Sequence, residues 1–357
     1  MPESIKATHG SMNELDLALI AVVATVALYD FTNGFHDAAD MVATAIASHA
    51  MRPPTAIAIV SLFTFIAPFT VGLAVADTVG TFVDIDGQPR QIGEAVVIAA
   101  LLAAVSYNLV TWLLGYPSSS SNSLAGGLVG AGLHTLGSAH INIGWHALQQ
   151  GHLDGLMKVV AGLLVSPFLG FIAGFLLIRL LVAVFRHFNE RIAPLFVGSQ
   201  YFSVAFLGFS HGANDAQKGM AIIGMMLLAT GHEQRFTIPD WAILLCASAI
   251  TLGTVFGGWS IIKTLGFGLF RIKTPHAVAN QVGAALVNSL ATHIGAPTST
   301  TQVVTATLLG VGAAEKPRHV RWKTAAGIVT GWWLNIPVSV LLGAVYSYLY
   351  LLIRSTT

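Results

Sequence analysis

The sequence predicts an all-α integral membrane protein: two repeats of inverted topology, with broken helices and two hydroxyl-rich re-entrant hairpins. Composition is the first reason. Of 357 residues, 54% are hydrophobic and only 9% charged, with a mean hydropathy of +0.72, whereas soluble domains carry about 25% charged residues. The second is the length of the apolar runs. Membrane β-strands alternate over about 10 residues, far shorter than these, and helices are the other structure that satisfies its own backbone in lipid. The third is internal repetition. Asn33-Gly34-Phe35-His36-Asp37-Ala38-Ala39-Asp40 returns as His211-Gly212-Ala213-Asn214-Asp215-Ala216-Gln217-Lys218. Gly115-Tyr116-Pro117-Ser118-Ser119-Ser120-Ser121-Asn122 returns, at nearly the same offset, as Gly295-Ala296-Pro297-Thr298-Ser299-Thr300-Thr301-Gln302.

Segments near the 20 or so residues that cross a bilayer core follow in order. Residues 15–47 form one, interrupted at Asn33-Gly34; 54–76, 92–114, 117–133, 156–184 and 195–228 come next, the last broken at His211-Gly212. Residues 241–265, 276–294, 297–311 and 322–353 complete the set. The two that open on Pro117 and Pro297 are short for a full crossing, which suits half-helices of re-entrant hairpins. Residues 1–14 form a polar N-terminal tail without the basic region and cleavage site of a signal peptide. The first repeat takes 15–185, a cytoplasmic connector 186–194, and the second repeat 195–357.

Lys and Arg cluster in 179–191, 263–273 and 316–323, which places those loops in the cytoplasm, while none occurs from Gln91 to Met157. Counting crossings from there puts both termini outside and runs the two Asp motifs through the membrane in opposite directions. That is the geometry alternating access around one midplane site requires. The chain is expected to be multi-pass in the cell inner (plasma) membrane. The scattered 17 basic residues and formal charge of +1 give no footprint for nucleic acid. Cys246 is the single cysteine, so an intrachain disulfide and a Cys-based metal cage are both excluded.

Asp30, Asp37, Asp40, Asp215 and Lys218 all fall within apolar runs. Charges at membrane depth cost several kcal/mol, about 3 or more each, unless paired, hydrated or coordinated. Gly34 and Gly212 beside them are places where a helix can break and turn carbonyls toward an ion, so Asp37 and Asp215 with Asn33, Asp40, His36 and His211 form the candidate coupling-ion set. A bare alternative is a kink glycine with an internally satisfied carboxyl. Pro117 and Pro297 suit a first helical turn. The hydroxyls of Ser118, Ser119, Ser120 and Ser121, and of Thr298, Ser299, Thr300 and Thr301, then join the unpaired N–H groups there, a receptor for an oxyanion. Simple N-capping is the alternative, although one cap needs one hydroxyl. Asn108 and Asn288 precede the two runs at matching positions and suit either cavity lining or interhelical bonding. His134, His140, His146 and His152 recur at a spacing that fits neither one helix face nor a metal cage.

At these motifs the chain resembles the inorganic phosphate transporter (PiT) family, whose repeated Gly-Ala-Asn-Asp signature is matched by Gly212-Ala213-Asn214-Asp215 and, in variant form, by Gly34-Phe35-His36-Asp37. The wording around Ser210-His211 and Gln217-Lys218-Gly219 is similar to the bacterial low-affinity branch. The resemblance implies that the two hydroxyl runs, with Asn214, hold inorganic phosphate while Asp37 and Asp215 hold coupling cations. It further implies import by symport with H⁺, of phosphate itself or of a neutral divalent metal–phosphate complex. Na⁺ coupling and a passive anion channel are the alternatives. Two departures stand out: Asp40 where Asn is usual, and Asn122 and Gln302 where His is common. No enzyme chemistry, resident cofactor or resident metal is expected, and a homodimer is the expected assembly.

Overall fold

The computed structural model describes residues 4–187, 193–257 and 259–356. The expected connector at 186–194 therefore lies mostly outside the described residues. In chain order the helices are α1 Ser4–Ala47, α2 Pro53–Ile66, α3 Ala74–Thr81, α4 Arg90–Leu113, α5 Ser120–Thr135, α6 Trp145–Gln149 and α7 Gly155–Phe185. The second half follows with α8 Ala193–Ala229, α9 Asp240–Phe256, α10 Trp259–Gly268, α11 Thr274–His293, α12 Thr300–Glu315 and α13 Trp322–Thr356. Ala18–Ala47 of α1, together with α4, α7 and α13, are long and apolar enough to cross a membrane; α2 and α3, bent by 75° from each other, reach that length and apolarity as a pair. The protein is a multi-pass membrane protein.

Leaving out the short α6, the halves repeat element for element, and their packing repeats too. Helix α5 lies mainly on α13 and α12 on α7; α1 lies on α9 and α8 on α2. Each half thus finishes its packing on the other. One apolar cluster joins Val22, Val26 and Tyr29, early in α1, to Met220, Ile223 and Met226, late in α8. A second joins Met41, Val42 and Ala45, late in α1, to Val204 and Leu207, early in α8. The two helices therefore run antiparallel, and the Asp motifs meet where the clusters meet. Lipid tails are as apolar as Leu, so such contacts rest on close van der Waals fit rather than on apolar transfer from water.

The expected positions of the helix breaks are corrected here. Helices α1 and α8 are unbroken at Asn33-Gly34 and His211-Gly212. These glycines serve close approach instead: a Cβ on Gly34 would overlap the backbone of Ile250, and one on Gly212 the backbone of Thr64. Gly212→Val is accordingly expected to force α8 off α2 and to destabilise the fold by about 1–3 kcal/mol, read as a lower melting temperature in detergent. The interruptions occur elsewhere: between α2 and α3, between α9 and α10, and in the extended stretches after α4 and α11. The expected single spans at 54–76 and 241–265 are thus each two helices. The backbone of α1 is already helical from Ser4, within the polar segment read as a tail.

Candidate functional site

The two hydroxyl runs adopt the same local structure. Each preceding helix ends on a glycine with positive φ, +69° at Gly115 and +70° at Gly295. The turn closes by Tyr116 N–H donating to the Thr111 carbonyl at 2.9 Å and Ala296 N–H to the Ala291 carbonyl at 2.8 Å. Ser119 (φ −109°, ψ 106°) and Ser299 (φ −105°, ψ 106°) are then extended N-caps, accepting from Asn122 and Gln302 N–H. The expectation that Pro117 and Pro297 occupy the first helical turn is corrected, since α5 begins at Ser120 and α12 at Thr300. The extended backbone that an N-cap needs displaces the helix start past the proline. The first N–H groups of α5 and α12 have no carbonyl partner within their helices and carry the positive end of the dipole.

These two helix starts meet the two carboxylates. Thr301 Oγ1 donates to Asp37 Oδ1 and Thr300 Oγ1 to Asp215 Oδ2, both at 2.7 Å. Adjacent residues of one helix terminus therefore join carboxylates from opposite halves. His211 Nδ1 lies 3.2 Å from Asp215 Oδ2 and 3.8 Å from Asp37 Oδ2; His36 Nδ1 lies 3.6 Å from Asp37 Oδ1. His36, Asp37 and Asp40 form one tight ligand group, and Asp37, His211 and Asp215 another. Every residue of the two motifs from 36 to 40 and from 211 to 218 is buried.

Several hydroxyls are already engaged within the protein. Ser118 pairs with Thr111 at 2.7 Å, and Thr298 Oγ1 donates to Asn288 Oδ1 at 3.2 Å. Ser121 Oγ donates to the Thr298 carbonyl at 2.8 Å. Asn214 is held on three sides: its Oδ1 accepts from Thr298 N–H at 3.0 Å, and its Nδ2 donates to Thr292 Oγ1 and the Ala296 carbonyl at 2.9 and 3.2 Å. By contrast, both polar atoms of Asn33, both oxygens of Asp40 and the Ser120 hydroxyl are buried without a hydrogen-bond partner among the described residues. Asn122 Oδ1 and Gln302 Oε1 share that condition. Polar groups so placed are costly unless something binds them.

A model of the phosphate transporter family matches residues 33–343, from the first Asp motif into α13. The chain belongs to the phosphate transporter family. It is 38% identical over 328 residues to a probable low-affinity inorganic phosphate transporter of Rhizobium meliloti (strain 1021), covering 91% of this chain and 94% of that one. To a probable low-affinity inorganic phosphate transporter of Bacillus subtilis (strain 168) it is 36% identical over 337 residues, covering 94% and 97%. The fold is similar to a solved structure titled "The sodium-dependent phosphate transporter", with a TM-score of 0.83 at 22% identity, over 94% of this chain and 100% of that one.

In this phosphate transporter the site also contains residues that the motif reading did not select. Lys218 Nζ donates to Asp215 Oδ1 and Ser121 Oγ at 2.5 Å and to the Thr298 carbonyl at 2.7 Å. Its signal in the sequence is a lone cation in an apolar run, three residues after Asp215. Asn335 of α13 donates to the Ser119 carbonyl at 2.8 Å and accepts from Ser123 Oγ at 2.9 Å, fixing the first hydroxyl run from behind. Gln217 Oε1 accepts from Val75 and Ala76 N–H, capping α3 from α8. Two of the spaced histidines have separate partners: His134 pairs with Ser347 and His140 with Gln88.

Proposed function

We propose that the chain is a secondary active symporter of the plasma membrane that imports inorganic phosphate with H⁺ by alternating access. The observation that carries this reading is the pair of 2.7 Å bonds from Thr300 and Thr301 to Asp215 and Asp37. Fixed carboxylates beside the start of α12 repel an anion until cations neutralise them, so anion and cation loading are mutually dependent. Phosphate then binds the free N–H groups opening α5 and α12 and the Ser120 hydroxyl, displacing internal partners of the remaining Ser and Thr side chains. Antiparallel α1 and α8 supply the inverted pair that exposes such a site alternately to either face.

Burial favours this over a passive anion channel, which needs a continuous wet path. A hydrogen phosphate can donate a hydrogen bond to Asp37 or Asp215, whereas sulfate at neutral pH has no proton to share, so sulfate should compete poorly. The buried His–Asp groups also suit delivery of a neutral metal–phosphate complex, for which Mg²⁺ would be cargo. The expected homodimer is checked by mass measurement in detergent.

The deciding experiment is labelled phosphate uptake into proteoliposomes under separately imposed H⁺ and Na⁺ gradients, with and without Mg²⁺. Accumulation above equilibrium under an inward H⁺ gradient is expected. Accumulation only with Na⁺ would transfer the coupling to that ion. Equilibration without accumulation under either gradient would leave the channel reading.

A further inference from the structure

We propose that the Asp motif of the second repeat carries its own built-in cation, the Lys218 ammonium, and that one coupling cation from solution is held at the Asp motif of the first repeat by Asp37 and Asp40, with Thr301 reaching across from α12. The inference rests on the symporter reading and specifies it: one exchangeable cation per transport cycle, although the carboxylate motif is present twice.

The argument starts from what surrounds Lys218. Its Nζ lies 2.5 Å from Asp215 Oδ1, 2.5 Å from Ser121 Oγ and 2.7 Å from the Thr298 carbonyl. A carboxylate, a hydroxyl and a main-chain carbonyl are the oxygens a hard cation takes from a protein. An ammonium tethered to α8 fills that cage, and its side chain is among the most completely buried in the protein.

The repeat defines the counterpart of this cage. Laying Asp37 on Asp215 puts Asp40 on Lys218; laying Gly115 on Gly295 puts Ser118 on Thr298 and Ser121 on Thr301. The corresponding oxygens are thus Asp37, Thr301 and the Ser118 carbonyl. Thr301 does reach Asp37, at 2.7 Å, as Ser121 reaches toward Asp215 at 3.5 Å. Where the second repeat has an ammonium, the first has another carboxylate. Neither oxygen of Asp40 meets hydrogen-bond geometry with any described residue, and neither polar atom of Asn33, one turn before Asp37, does so.

The two sides of one pseudo-symmetric centre therefore differ in charge and in bonding. Around Asp215, the Lys218, Thr300 and His211 side chains supply donors. Around Asp37, Thr301 donates and the His36 and His211 Nδ1 atoms lie 3.6 and 3.8 Å away, but the place of the ammonium is taken by a second carboxylate with unpartnered oxygens. Four buried aspartates, Asp30, Asp37, Asp40 and Asp215, accompany one buried ammonium, and three of them belong to the first repeat. A cation from solution is needed there. In the second repeat Lys218 already does its work.

The test removes the tethered charge. Lys218→Ala is expected to weaken inorganic phosphate binding, measured by calorimetry on protein in lipid nanodiscs, on the order of a hundredfold. Adding Na⁺, ammonium or methylammonium should restore it saturably, with no comparable effect of the amines on the unaltered protein. Two results overturn the inference: a variant that melts cooperatively yet gains nothing from any of the three cations, or one that binds phosphate normally without them. If Lys218→Ala does not fold, the unaltered protein decides. At a fixed concentration of the transported phosphate ion, the driving cation should activate uptake with a Hill coefficient of about 1, and a value approaching 2 overturns the inference. Failure of the unaltered protein to bind phosphate at all would instead remove the symporter reading, and this inference with it.

Discussion

Asp215→Asn is expected to lower phosphate uptake by about a hundredfold or more and to destabilise the fold by about 3–5 kcal/mol. Both effects come from the same atoms. Lys218, buried to 1% exposure, then has only uncharged acceptors in contact: the Ser121 hydroxyl, the Thr298 carbonyl and at best the new amide oxygen. An ammonium stripped of its direct ion-pair partner in that setting is the costly case. Thr300 Oγ1 and His211 Nδ1 lose the charged acceptor at 2.7 and 3.2 Å that orients them, so the start of α12 loosens at the same time. Melting in detergent and uptake in proteoliposomes measure the two effects separately. The double variant Asp215→Asn with Lys218→Met removes both charges and should recover most of the stability while uptake stays lost. A single variant as stable as the unaltered protein would show that the pair does not hold α8 in place.

Much of this arrangement is written in the sequence, for identifiable reasons. The repeated motifs use residue types that are rare at membrane depth, so Asp37, Asp215 and the two hydroxyl runs stand out against their surroundings. The structure brings these elements together, with α1 and α8 antiparallel. Glycine is harder to interpret. A missing Cβ permits either a broken helix or a close helix crossing, and the choice depends on whether a neighbour's backbone is there; for Gly34 it is Ile250 and for Gly212 it is Thr64. Proline marks each helix start only approximately, because Ser119 and Ser299 compete for the cap and prevail. Lys218 is visible as a charge, but not as part of the site. Its partners include a main-chain carbonyl at Thr298, and carbonyls leave no trace in a motif. The capping of α3 by Gln217 is hidden for a related reason, since its partners are two backbone N–H groups on a distant helix.

Asp37→Asn is expected to abolish accumulation as completely as Asp215→Asn, yet to leave stability equal to or above that of the unaltered protein. The amide oxygen that replaces a carboxylate oxygen in this variant can still accept the Thr301 hydroxyl, so the change weakens one bond, normally a matter of about 1 kcal/mol. Against that stands relief of repulsion. Asp37 shares one tight group with Asp40 and another with Asp215, and like charges about 4 Å apart repel by about 4 kcal/mol at an effective dielectric of 20. No Lys or Arg contacts Asp37 among the described residues, so no buried cation is left behind. Transport fails for a different reason: with one carboxylate neutralised permanently, phosphate loading no longer depends on the cation gradient, and uphill uptake should fall by about a hundredfold while binding at equal concentrations persists. Calorimetry, melting and uptake on the two Asn variants side by side provide the comparison. Equal losses of stability in both would mean that the two repeats bear their charges alike, and that the tethered ammonium does not distinguish one carboxylate from the other.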